Sequence, residues 1–93
     1  MNDTTNLHRI KRLRYRANHR GIKEMDIILG QFANARLETL SEEMVDQFET
    51  LLNENDRDLL IWFTGENQFP LENLYEIFDL IRSHSESFYQ NER

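Results

Sequence analysis

Apolar residues recur along this chain with helical spacing nearly throughout, and no strand-type alternation lasts more than a few residues. Leu7, Ile10, Leu13 and Ala17 share one face of a first segment, from about Thr5 to His19, that Thr4, Thr5 or Asn6 can cap. Gly21 is expected to end it with a left-handed turn. Met25, Ile28, Leu29 and Phe32 recur at i, i+3, i+4, i+7 in a second segment, about Ile22 to Leu37, with Glu24 and Asp26 in its first turn, where acids suit the helix dipole. In the third, Ser41 is an N-cap, Leu40 and Val45 form a hydrophobic staple, and Met44, Val45, Phe48, Leu51 and Leu52 make one stripe. The fourth is short: Asn55 or Asp56 caps it, Leu59, Leu60, Trp62 and Phe63 fill it, and Gly65 stops it. The fifth follows Pro70, with Leu74, Ile77, Phe78 and Ile81 on its apolar face and a polar tail after His84. The pattern predicts an all-α fold: a compact single-domain bundle of about five short helices over residues 1–93, ordered from about 5 to 84 with frayed ends.

Composition narrows the function. The chain has 93 residues, 39% apolar and 30% charged, enough for one modest core and no interdomain cleft. It has no cysteine, so disulfides, thiolate chemistry and Cys-type metal sites are excluded. No apolar run reaches the roughly 18–20 residues of a membrane span, so no membrane insertion is expected. The basic N-terminus lacks the apolar stretch of a secretory signal; its Arg-rich, acid-poor character fits a transit peptide, but its apolar positions are spaced to pack on the rest of the chain.

Charge is unevenly distributed. Residues 1–23 hold seven basic residues against one acid, net +6, while residues 24–93 hold four against 16, net −12, for a total of −6. Arg9, Arg12, Arg16 and Arg20 fall within an arc of about 80° on the first helix. This stripe either docks on an acidic or phosphate-bearing partner or pairs with the chain's own acidic helices. Nucleic acid is not the expected partner: the acidic remainder repels the backbone, and only Tyr15 interleaves the stripe.

No catalytic constellation is present. The three histidines, His8, His19 and His84, lack metal spacing and read as surface residues; the carboxylates are scattered on solvent faces, and there is no nucleophile elbow or glycine-rich phosphate loop. The chain is expected to be neither an enzyme nor a metal protein. What stands out is the junction His19-Arg20-Gly21-Ile22-Lys23-Glu24-Met25-Asp26. A helix–turn–helix corner alone accounts for a cation in the last turn, a glycine and acids opening the next helix.

The junction also carries a resemblance. Arg-Gly-x-x-Glu with Asp two residues later, here Arg20, Gly21, Glu24 and Asp26, resembles the signature of the succinate dehydrogenase assembly factor family. The likeness runs from about residue 7 to 81 and includes Phe32, Leu40-Ser41, Phe48 and Leu51-Leu52. The run Asp56-Arg57-Asp58-Leu59-Leu60-Ile61-Trp62-Phe63 resembles the family's Asp-x-Asp-Leu-x-x-Trp motif; His19 stands where the family often has a second arginine. The resemblance implies a small bacterial or mitochondrial chaperone that promotes covalent FAD attachment to the flavoprotein subunit of succinate dehydrogenase or fumarate reductase. It implies that the chemistry is the flavoprotein's own and that FAD belongs to that partner rather than being bound stably here; the chain itself is expected to be a monomer of the bacterial cytoplasm. The partner-binding residues are then Arg20, Gly21, Glu24, Lys23, Asp26, Arg16 and His19, with Arg20 offering a hydrogen-bonding fork and Glu24 either meeting a partner donor or orienting Arg20. Trp62 and the phenylalanines read as core rather than flavin stackers. The alternative is a small interaction module of antitoxin type, docking through its basic first helix.

Overall fold

A computed structural model describes residues 3–91, with side chains from Asn6 to Ser85. Five helices follow in order: α1 (Asp3–Asn18), α2 (Lys23–Arg36), α3 (Glu42–Leu52), α4 (Asp56–Phe63) and α5 (Tyr75–Asn91). Single 3-10 turns at Leu37–Thr39 and Glu72–Leu74 precede α3 and α5, and no strand occurs among the described residues. The all-α expectation holds. α1 begins at Asp3, so Asn6 lies inside it and is not its cap, while the side chains of Thr4 and Thr5 lie outside the described ones. The ends expected to fray include residues 1–2 and 92–93, which also lie outside the described residues.

Local signals account for most of the boundaries. The Ser41 hydroxyl accepts from the Met44 N–H at 3.2 Å, as an N-cap must. At α4 the Asn55 side chain accepts from the Arg57 N–H at 2.8 Å, so Asn55 is the cap and Asp56 is free for another task. α4 ends at Gly65 with φ +83°; its N–H donates to the Trp62 carbonyl and that of Glu66 to the Ile61 carbonyl, the paired bonds of a Schellman ending. The start of α5 takes its partner from another helix: Gln47 of α3 accepts from the Ile77 N–H at 3.3 Å.

The core draws on every helix. Ile10, Leu13 and Ala17 of α1 pack with Met25, Leu29 and Phe32 of α2, Phe48 and Leu51 of α3, Leu59 of α4, and Ile77 and Ile81 of α5. Phe32 meets Phe48 with ring centres 5.7 Å apart, and no polar side chain among the described residues is fully buried. Leu7 departs from expectation: it is 49% exposed, because the bundle reaches α1 only from Ile10 onward. His84 also departs: it is half-buried, edge-on to Phe32 at 5.8 Å. α1 and α2 approach closely at Gly30, where a Cβ would stand 2.5 Å from the Asn18 Oδ1.

Candidate functional site

The α1–α2 corner is a short bend, and its geometry depends on a residue 36 positions later. The Arg20 Nε–H donates to Asp56 Oδ1 at 2.6 Å, and the Gly21 N–H donates to Asp56 Oδ2 at 2.7 Å. Both carboxylate oxygens are therefore pinned to the corner. Arg20 also donates to the carbonyls of Leu52 at 2.9 Å and Glu54 at 3.0 Å, satisfying acceptors left over at the end of α3. Its own N–H donates to Asp26 Oδ1, which closes the bend from the α2 side. Arg20 and Asp56 side chains are only 10% and 19% exposed.

Three expectations about this corner are corrected. Arg20 does not offer its fork outward; the acceptors of α3 and α4 consume it, and it positions the corner instead. Gly21 is not in the left-handed region, which among the glycines only Gly65 occupies. Glycine is favoured at 21 by close approach: a Cβ there would lie 3.2 Å from the Asp56 Oδ2, which would have to give by a few tenths of an ångström. Glu24 does not orient Arg20 either, since Asp56 has that role. Asp26 is half-buried and structural, an N-terminal helix acid that also ties Arg20.

The residues left facing solvent are His19, Gly21, Lys23 and Glu24. Glu24 stands on the rim of a groove of about 400 Å³ between α2, α4 and α5, lined also by Ile28, Leu60, Phe63 and Arg82. On the other side of α4, Trp62, Phe69, Tyr75, Phe78 and Arg82 line a second groove of about 440 Å³. Trp62 is half-buried, edge-on to Phe69 at 5.2 Å, while Phe63 and Phe69 both stack on Phe78.

The arginine stripe is not one docking surface. Arg9 bonds Asp46 at 2.6 Å and Glu49 at 2.7 Å, and these carboxylates hold its pKa above the ordinary arginine value, Asp46 most strongly. Arg16 donates to Asn53 at 2.8 Å, and Arg20 is taken by Asp56. Only Arg12 of the four is exposed without an ion pair among the described residues. Two of its four arginines pair with acids of α3 and α4 and a third with Asn53, and the antitoxin-type alternative is not favoured.

Asp56 is the residue that sequence reasoning missed as a site component. Two signals pointed to it: it stood beside Asn55 as a rival cap, and it opens the second motif of the resemblance. The fold brings the two motifs into contact, since the first supplies Arg20 and Gly21 and the second supplies Asp56.

Comparison with known proteins shows the family of the chain. The family model described as flavinator of succinate dehydrogenase matches residues 11–85. The mitochondrial succinate dehydrogenase assembly factor 2 of Schizosaccharomyces japonicus is 46% identical over 59 residues, 63% of this chain and 41% of the relative. The FAD assembly factor SdhE of Acetobacter pasteurianus is 39% identical over 64 residues, 69% and 59% of the two chains. A mitochondrial assembly factor 2 of Dictyostelium discoideum is 31% identical over 74 residues, 80% of this chain and 52% of the relative. This chain thus spans about half the length of the curated relatives it matches. No solved structure gives a significant match. With the match running from α1 into α5 and across both motifs joined by Asp56, the chain belongs to the family of flavinators of succinate dehydrogenase.

Proposed function

We propose that this protein is a non-catalytic assembly factor that binds the flavoprotein subunit of succinate dehydrogenase, or that of fumarate reductase, and promotes covalent attachment of FAD to it. The observation that carries this reading is the corner itself: Arg20 and Asp56 lock the backbone so that Gly21, Lys23 and Glu24 stand exposed in one fixed arrangement. In a chain of the flavinator family, such a corner braces a larger enzyme rather than performing chemistry. A brace accelerates attachment by holding the reacting groups of the flavoprotein in near-attack geometry. FAD then belongs to the partner and is not retained by this chain. No described helix is long and apolar enough to cross a membrane, and the protein acts as a monomer in the bacterial cytoplasm under this proposal.

Co-expression with the flavoprotein subunit, read by in-gel fluorescence of covalent flavin, tests the reading. Wild-type protein raises the signal above that of the subunit alone. Glu24→Ala removes an exposed carboxylate with no partner in the described bundle, so it leaves the helical content and unfolding midpoint unchanged while lowering flavinylation. Gly21→Arg blocks close approach at the corner and also lowers flavinylation; because its Cβ presses on the Asp56 Oδ2, its unfolding midpoint falls by several degrees while the helical content is kept. Normal flavinylation by both variants would remove the corner from the mechanism, and no stimulation by wild-type protein would remove the function.

A further inference from the structure

α1 carries a second basic face, one that the internal ion pairs leave alone. At 100° per residue, His8, Lys11, Arg12 and Tyr15, with His19 just past the helix end, share one arc of about 100°, centred roughly 110° round the helix from the side of Arg9, Arg16 and Arg20. All five are exposed. Lys11 and Arg12 make no ion pair among the described residues, and the sequence has no acid between Thr4 and Lys23 to neutralise them.

Tyr15 lies in the middle of this face and is 64% exposed. Its ring stacks on His19 with centres 3.9 Å apart and planes 20° apart, and the His19 Nδ1–H donates to the Tyr15 carbonyl at 2.7 Å. The two rings are thus ordered before any partner arrives, which lowers the entropic cost of using them as a contact. A rigid, exposed aromatic flanked by cations has the composition of an interface centre. The stack ends two residues before Gly21, so the face runs directly into the corner.

We infer that this face of α1 binds an acidic surface of the flavoprotein subunit, with the Tyr15–His19 stack as its central contact and Lys11 and Arg12 as its charged flank. The inference rests on the functional reading above. Charge complementarity selects the partner: residues 24–93 carry net −12, so an acidic surface is repelled by the body of the molecule and attracted only by α1. Docking is thereby oriented, and it delivers the Gly21–Glu24 corner to the same partner. A long polyanion fits less well, because it would run past this short face onto the acidic body.

Association of the full-length protein with the purified flavoprotein subunit, followed by biolayer interferometry between about 0.05 and 0.5 M salt, tests this. The Lys11→Glu/Arg12→Glu variant is expected to associate about tenfold more slowly at low salt, the difference closing as salt rises. Tyr15→Ala is expected to raise the dissociation rate, and Arg36→Glu, at the far end of α2, to change neither rate. All substituted side chains are exposed, and unchanged circular dichroism verifies folding. Wild-type rates in the double variant would overturn the inference while leaving the functional reading intact. Absence of binding by wild-type protein would overturn both. If the double variant instead loses affinity for a single-stranded RNA oligomer and keeps it for the flavoprotein, the face is a nucleic-acid surface and the inference fails.

Discussion

Asp56 accepts from Arg20 through one carboxylate oxygen and from the Gly21 backbone through the other, at 2.6 and 2.7 Å. Removing it would take the only carboxylate from a guanidinium that is 90% covered and leave its Nε–H without an acceptor, although Leu52 and Glu54 still hold the other two nitrogens, a loss of about 3 kcal/mol. Asp56→Ala is therefore expected to lower the thermal midpoint by roughly 12–20 °C, measured by circular dichroism. Gly21→Ala probes the same carboxylate more gently. The backbone there tolerates a side chain, but the new Cβ would press on an oxygen that two donors hold in place. The expected loss is about 1 kcal/mol in urea unfolding, and a gain in stability would mean that the Asp56 carboxylate can shift.

Each helix shows how far local rules reach. Ser41, Asn55 and Gly65 perform the capping and stopping that their residue types predict, because those interactions span only two to five residues. Periodicity found the buried face of α1 from Ile10 to Ala17 but carried it one turn too far, to Leu7. A helix continues its spacing whether or not another helix lies opposite. Leu7→Ser is accordingly expected to change stability by less than about 0.5 kcal/mol, whereas a true core leucine would cost several times that. The two 3-10 turns were not anticipated, since a single turn of three residues carries too little periodicity to register.

The bundle as a unit joins charge halves that look opposed in the linear chain. Arg9 meets Asp46 and Glu49 of α3, Arg14 meets Glu38, and Arg20 meets Asp56, so much of the basic segment folds onto the acidic one. The connection after α4 is anchored by Phe69, which is buried, stacks on Phe78 at 4.0 Å and receives the edge of Trp62. No other residue of 64–70 is buried, so this ring fastens the first part of the connection to the core, as Leu71 and Leu74 fasten its end. Phe69→Ala is expected to cost about 3 kcal/mol, seen as a lower urea midpoint with an unchanged slope.

Helix number, the caps and most core positions follow from residues near one another in sequence, and so did the corner motif that led to the family. These features depend on backbone hydrogen bonding and a 3.6-residue period, both local. The assignment of each cation to the interior or to solvent did not. Arg12 and Arg20 lie on one predicted stripe, yet Arg20 meets two helix ends and Arg12 meets none. Likewise, Gly21 is favoured by a carboxylate 35 residues away rather than by its own backbone angles. An ion pair forms only where packing brings two chain segments within a few ångströms, and hydrophobic burial elsewhere decides which segments those are.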